Sequence, residues 1–319
     1  MDNEDIDFSL KNIWKSWFAY RKGKKISNDM DCFQYNLESE LLNLWRNMNN
    51  GKYKHGSYRK FKVTDNKTRE ISVASIKDRV VHRLVYDYLT KIYDKTFIYD
   101  AWSCRKDKGL IGAINRAQAF MKKYKAGFVW KADVKKFFDS VDRKILLKIL
   151  EQKIKDKKAI NLITKIILSF STKNGSGMPI GNLTSQIFSN IYLNELDRHI
   201  KHSLKCRHYL RYGDDFIIFN QNENSLIETK IQVEKFVKNS LKLDLNIKNN
   251  LITSTKEGLK FLGVILSLDK KILNKRNSIK IKERIELKNA GSYWGIVSQH
   301  CTREELKEFQ WRLLEKVFT

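Results

Sequence analysis

The spacing of apolar positions changes several times along the chain, and each change marks an element. Within the first fifty residues Trp14, Trp17, Phe18 and Tyr20 precede the basic run RKGKK, which predicts a helical, peripheral N-terminal segment. Phe61 and Val63 then face one way, Asp65-Asn66-Lys67 turn the chain, and Ile71 and Val73 follow. This alternation predicts a β-hairpin with basic residues on its other side. Val80, Leu84, Val85, Tyr88, Leu89 and Ile92 return to helical spacing, and Ile111, Ile114, Phe120, Met121 and Tyr124 give the buried side of a second helix over 110–124. GFVWKADV, 127–134, reads as a strand ending near Asp133, after which KKFFDS turns the chain and Asp142 caps a helix carrying Ile145, Leu146 and Ile149. GSGMPIGN, 175–182, is a loop with the only proline, and Thr184 or Ser185 starts a helix through about Ile200. In HYLRYGDDFIIFN, 208–220, two β-rich runs flank Gly-Asp, an ordinary hairpin signal. A helix near 225–241, KFLGVIL as a short strand or pair, and a helical tail from about 275 complete the pattern, with Thr302 and Glu305 as a capping box for the last helix. This order predicts an α+β fold, not regular βαβ units.

Composition narrows the class. A chain of 319 residues with 42% hydrophobic content and 12% aromatics can bury a sizeable core in two or three subdomains. Lys+Arg 62 against Asp+Glu 36 gives a net charge of +26, an electrostatic footprint for phosphate polymers. Abundant Lys, Asn and Ile can also reflect AT-rich coding. A membrane partner is not expected, because no basic amphipathic helix, lipidation motif or run of transmembrane length stands out. MDNEDIDFSL is acidic and unlike a signal peptide. Cys32, Cys104, Cys206 and Cys301 are scattered without a CxxC pair, which argues against a disulfide framework or zinc site and fits a reducing, cytoplasmic setting. His199 and His202 stand three apart with no further ligand in register, so they read as surface or core histidines.

Three acids carry candidate chemistry. Nucleotide addition needs two divalent ions about 3.5–4 Å apart at the attacking and leaving oxygens. Mg²⁺ takes carboxylate oxygens together with substrate phosphates and water. Asp133 at a strand end and Asp214 with Asp215 in a hairpin turn supply carboxylates that neighbouring strands could bring together. The plain alternatives are a turn aspartate and an ordinary Gly-Asp hairpin. Phe137 and Phe138 follow Asp133; one belongs in a core, and a ring at Phe138 could lie under an incoming sugar and exclude a 2′-hydroxyl.

Over roughly residues 50 to 300 the motifs resemble, in order, those of reverse transcriptases. TREISVASIKDRVVHRLV and AWSCRKDKG resemble the fingers motifs, ADVKKFFDSVDR the first palm motif, MPIGNLTSQIFSNIYLNELD the second, YGDD the catalytic hairpin and KFLGVIL the Leu-Gly motif after it. Retroviral and group II intron enzymes commonly read QG, then SP, in the second motif. Ile180-Gly181 and Ser185-Gln186 here, as IGNLTSQ, resemble the diversity-generating retroelement branch.

The resemblance implies a right-hand polymerase fold: an N-terminal helical extension over 1–45, fingers and palm over 46–268, and a helical thumb over 269–319. It implies that Asp133, Asp214 and Asp215 are catalytic and hold two Mg²⁺, with Mn²⁺ as a substitute. Arg69, Lys62, Phe138, Ile180 and Gly181 would bind the nucleotide, and Tyr212, Gly213 and Gln186 the primer-template. Isoleucine at 180, where others carry glutamine, is associated in that branch with error-prone copying at template adenines. Gly213 replaces a bulkier residue usual in the branch. In LKLDLNIKNN, Asn249 stands where a lysine often ends the motif, with Lys248 beside it. Implied partners are an RNA template, a DNA or RNA primer, dNTPs, a template or noncoding RNA and a small basic accessory protein, in a bacterial or phage-encoded system. An antiphage defence reverse transcriptase with its own noncoding RNA, and a catalytically silent RNA-binding module, stand as the other readings. No nuclease, maturase or integrase region is evident in the sequence.

Overall fold

The computed structural model describes residues 5–64, 67–170, 175–301 and 303–318. Asp65 and Asn66 of the expected hairpin turn, and Thr302 of the expected capping box, lie outside them. The chain forms two compact units that alternate in sequence. One runs from the N-terminal residues through Ile98 and adds Val134–His199 and Lys235–Asp244; the other holds Tyr99–Asp133, Ile200–Glu234 and the residues from Leu245 onward.

The first unit opens with α1 (Leu10–Arg21), α2 (Asn28–Tyr35) and α3 (Leu37–Asn49). Ser9 caps α1 by accepting from the Asn12 N–H. Ile13, Trp17 and Tyr20 recur at i, i+4 and i+7 and are buried, and α1 packs against α4 (Ile76–Tyr93). The expectation of a peripheral N-terminal segment is corrected for Trp17 and Tyr20, which with Ile13 are core and add roughly 1.5–3 kcal/mol each by burial, whereas Phe18 stays 56% exposed. Between these helices, β1 (Arg59–Thr64) and β2 (Thr68–Val73) form the expected hairpin with Phe61 opposite Ile71. Its apolar face is left open, with Phe61 45% exposed. In α4 the expected positions Val80, Leu84, Val85, Tyr88 and Leu89 are buried.

In the second unit α5 (Leu110–Lys123) leads into β3 (Phe128–Asp133). The chain then supplies the first unit with α6 (Phe137–Ser140), α7 (Arg143–Lys153), α8 (Lys157–Ser169) and α9 (Leu183–Arg198). Asp142 caps α7 as expected, accepting from the N–H groups of Lys144 and Ile145. The apolar run of α8 went unread in the sequence. After Arg198 the helix widens into a π-helical turn over His199–Ser203, where His199 stacks on Phe236 with ring centroids 4.1 Å apart and burial lowers its pKa.

The second unit's main sheet combines β3 with β4 (Tyr209–Tyr212), β5 (Asp215–Asn220) and, after α10 (Glu223–Asn239), β6 (Leu251–Ser254), in the order β4-β5-β3-β6. KFLGVIL resolves into a pair, β7 (Leu259–Phe261) and β8 (Val264–Leu266), joined by β9 (Lys271–Leu273) in a three-stranded sheet. The tail folds as α11 (Lys275–Arg284), α12 (Ala290–His300) and α13 (Arg303–Phe318). Phe120, Met121, Val129, Ile217, Phe261 and Phe309 belong to this unit's core. Among the described residues no helix is long and apolar enough to cross a membrane.

Candidate active site

Strand β3 is hydrogen-bonded on both sides, so its Val129, Trp130 and Ala132 are fully buried and its register is fixed by packing. That register sets Asp133, the last residue of β3, directly opposite Asp215, the first of β5; Asp215 in turn faces Tyr212 at the end of β4. Directly opposed residues have Cβ atoms about 4.5–5.5 Å apart, and like charges in such a pair destabilise a sheet. A hairpin serving only as structure gains nothing from that pairing. Gly213 and Asp214 form the two-residue turn between the strands. Gly213 has φ +64 and Asp214 is not left-handed, the pattern of a type II′ turn with glycine first. Asp215 thus belongs to the strand, one step beyond the expected turn.

Neighbouring polar groups fix this corner. Asn246 holds Asp133 twice: its backbone N–H donates to the Asp133 carbonyl at 2.9 Å and its Nδ2 donates to Oδ2 at 3.2 Å. The other carboxylate oxygen, Asp133 Oδ1, is buried with no hydrogen-bond partner. A buried oxygen of this kind carries a desolvation cost unless a cation or donor meets it, so the donor set suits a hard divalent ion. Among the described residues no three His, Cys, Asp or Glu side chains gather closely enough to hold an ion alone.

Behind the turn lies Arg211, only 1% exposed, whose Nη1 donates to the Gly213 carbonyl at 3.0 Å. Its backbone pairs with residues 100–102: Arg211 N–H donates to Asp100 O and Trp102 N–H donates to Arg211 O, both at 2.9 Å. This extends the sheet past β4 with a parallel bridge from Ala101 to Arg211. Asp100 is secured by Arg116, with contacts of 2.8 and 3.1 Å. Tyr212 is half-buried; desolvation raises its pKa, with Cys104 as the second cause.

The remaining candidates except Tyr212 and Gly213 lie in the first unit. There, loop 176–182 ties two of their carriers together. Met178 N–H donates to Phe138 O at 2.7 Å, Ser72 N–H donates to Ile180 O at 3.0 Å, and Asn182 Nδ2 donates to Ser72 O at 2.7 Å. Phe138, Ile180 and Gly181 are so linked to β2, which carries Arg69. Phe137 is the core member of the aromatic pair, edge-on to Tyr192, whereas Phe138 is half-exposed behind Lys136, held at φ +47. Gly181 has φ +100, and a Cβ there would come within 2.8 Å of Ile71 Cγ2. Gln186 is exposed on α9. Arg69 and Lys62 do not share a face: Arg69 pairs with Val63, Lys62 with Glu70, and adjacent residues of a strand point oppositely.

Three positioning groups went unread in the sequence. Asn246 lies inside LKLDLNIKNN, two residues before Lys248, which is exposed. Arg211 looks like an outward strand residue. Arg143, beside the capping Asp142, turns inward to donate to the carbonyls of Gly177 at 3.1 Å and Ser176 at 2.9 Å, and burial lowers its pKa. Isolated polar residues of this kind carry no periodic signal of the backbone they will meet.

Residues 54–266 match the model of the reverse transcriptase (RNA-dependent DNA polymerase) family. The chain belongs to the reverse transcriptase family. It is 24% identical to the group II intron-encoded protein LtrA of Lactococcus lactis subsp. cremoris, over 86% of this chain and 57% of that protein. It is 23% identical to Protein YkfC of Escherichia coli, over 63% of each. It is also 23% identical to a COX1/OXI3 intron 2 protein of Saccharomyces cerevisiae, over 80% of this chain but 38% of that one. The chain thus spans less than two thirds of these relatives' lengths. Among solved structures, telomerase from Candida albicans with a fragment of telomeric RNA superposes with a TM-score of 0.55 at 12% identity, covering 90% of this chain and 60% of that one. Telomerase from Candida tropicalis gives 0.54 at 14%, over 72% and 58%. The reverse transcriptase therefore has a polymerase fold of mixed helices and strands.

Proposed function

We propose that this reverse transcriptase is an RNA-directed DNA polymerase whose active centre is Asp133, Asp214 and Asp215. The observation that carries the reading is the cross-strand Asp133–Asp215 pair, with Asp214 in the adjoining turn and one Asp133 oxygen left unpartnered. Two Mg²⁺ ions, with Mn²⁺ as a substitute, supply Lewis-acid stabilisation of the phosphoryl oxygens when bound. Asp133, Asp214 and Asp215 would hold them, with Asn246 fixing the orientation of Asp133. Arg69 grips the dNTP triphosphate with its planar guanidinium. Lys62 lies on the other face of the hairpin and would reach the nucleotide from that side. Phe138 underlies the sugar and selects deoxyribose; Ile180 and Gly181 flank the nucleotide; Tyr212, Gly213 and Gln186 meet the primer-template. Residues 46–268 serve as fingers and palm and 269–319 as thumb, with a helical extension over 1–45 preceding them in the chain. Primer extension on a primed RNA template tests the assignment. Asp214→Ala and Asp215→Ala should each abolish it, and full activity in either would sink the proposal.

The finer role we infer is error-prone copying in a diversity-generating retroelement, supported by Ile180-Gly181 and Ser185-Gln186 in the second palm motif. Isoleucine can only pack where a glutamine could hydrogen-bond the template or nucleotide. Its partners would be an element-encoded template RNA and a small basic accessory protein, in a bacterial or phage-encoded cytoplasmic system. Sequencing the RNA bound to the purified protein, and its cDNA, separates the roles. Mismatches concentrated at template adenines support diversification; accurate, repetitive or untemplated cDNA supports antiphage defence.

A further inference from the structure

At the far end of the β4-β5-β3-β6 sheet the second unit has a cavity of about 540 Å³, away from the three aspartates. Its lining includes Tyr124, Lys205, Arg207, Asn220, Thr229 and Gln232. Asn220 ends β5, which begins at Asp215, so the cavity sits about 16 Å along the strand from the acidic turn at roughly 3.3 Å per residue. Lys205 and Arg207 line the cavity, Lys201 Nζ donates to the Arg207 carbonyl at 2.6 Å, and the lining residue Tyr124 is bracketed in sequence by Lys122, Lys123 and Lys125. Lys122, Lys123, Lys125, Lys205 and Arg207 are exposed. Glu228 is the one carboxylate among the lining residues. The cation-rich field also registers on His208, which accepts or donates at 2.7 Å to the Tyr124 hydroxyl: burial first, then Lys123, Arg207, Lys201 and Arg116, lower its pKa.

We propose that this cavity is a second nucleic-acid site, binding the phosphodiester backbone of a folded RNA at a distance from the polymerase centre. Phosphate contacts position a nucleic acid without reading its sequence, and they come from Lys, Arg and polar side chains such as those here. Thr229 Oγ1 donates to Ser225 O and Asn220 Oδ1 accepts from Asn222 N–H, which leaves the Asn220 amide nitrogen and Gln232 as neutral groups suited to the sugar 2′-hydroxyl, which distinguishes RNA from DNA. The open, polar lining and cations spread over two chain segments favour a polymer lying across the cavity over a small ligand sealed within it. Such a site would keep a bound RNA on the enzyme while the template moves through the active centre.

The test uses the full chain and a blunt 20-base-pair RNA hairpin, without dNTPs, so it does not depend on polymerase activity. The variant is Lys123→Gln, Lys205→Asn, Arg207→Gln; asparagine suits the left-handed backbone at Lys205, φ +54. Circular dichroism melting confirms that it folds. Hairpin affinity should fall about tenfold or more at 150 mM salt, and the log–log salt slope should shrink by about 2, at roughly 0.7–0.9 for each phosphate no longer neutralised. Primer extension at saturating primed template should keep its rate. Unchanged hairpin affinity and slope would overturn the proposal. So would equal affinity of the wild type for a DNA hairpin of the same length, which would leave only nonspecific charge, or competition by millimolar inorganic phosphate that the variant lacks, which would assign the cavity to a small anion.

Discussion

Asn246→Ala separates a positioning role from a merely structural one. In the wild type Nδ2 donates to Asp133 Oδ2 at 3.2 Å, which leaves Oδ1 as the unpartnered oxygen. The substitution removes this bond but keeps the backbone bond from Asn246 N–H to Asp133 O, so the register of β3 with β5 survives. A hydrogen bond to a charged group contributes about 1.5–3 kcal/mol, and 3.2 Å is at the long end of the range, so about 1.5–2 kcal/mol is at stake. If that energy orients the carboxylate, the rate of primer extension falls about 10- to 30-fold, at roughly tenfold per 1.36 kcal/mol. The Mg²⁺ concentration for half-maximal rate should rise, because Asp133 must be ordered on binding the ion. The alanine also removes the cap on the short turn at Ile247–Asn249, where Asn246 Oδ1 accepts from Lys248 N–H. Loss of such a cap costs about 1 kcal/mol in stability, a Tm change of a few degrees. Asn246→Asp should be worse than alanine in rate, since a carboxylate cannot donate and adds a like charge beside Asp133. Single-turnover extension over a Mg²⁺ titration reads all of this. Wild-type rate and Mg²⁺ dependence in a folded Asn246→Ala protein would refute the reasoning.

Gly181→Ala places a Cβ 2.8 Å from Ile71 Cγ2 at φ +100, so dNTP affinity should drop severalfold as the 180–182 link to β2 shifts; an unchanged KM in steady-state extension would contradict this. His82, buried against His55 with Nε2 atoms 3.0 Å apart, has its pKa lowered to about 3, by burial first and then by His55. The unfolded chain protonates this histidine near 6.5 and the folded chain does not, so stability present above about pH 6.5 is lost as pH falls toward 3, by up to about 1.4 kcal/mol per pH unit. His82→Gln should flatten that part of the curve in urea melts between about pH 7 and 4, and an unaltered slope would remove His82 as its source. Binding of a primed RNA template should weaken steeply with salt, about 0.7–0.9 in log–log slope per phosphate contacted, and a flat response in anisotropy titrations would contradict contact through the +26 charge.

Periodicity in the sequence was enough to mark α4, α5, the capped start of α7, and the β4–β5 hairpin, because each encodes its buried face or cap within a few residues. The ordered motifs pointed to the three aspartates and to Phe138, Ile180 and Gly181. Short β6 and β9 escaped, since runs of four and three residues hold too few positions to show a period. Tertiary structure alone decided four things. It paired Asp133 with Asp215, because strand register depends on packing between segments about eighty positions apart. It turned Asn246, Arg211 and Arg143 inward, because a polar side chain's partner is set by where remote backbone comes to lie. It put Arg69 and Lys62 on opposite faces, because the hairpin register, not their separation in sequence, fixes which side chains align. And it moved Trp17 and Tyr20 from the periphery into the core, because an amphipathic stripe shows which side of a helix is apolar but not how deeply that side is buried.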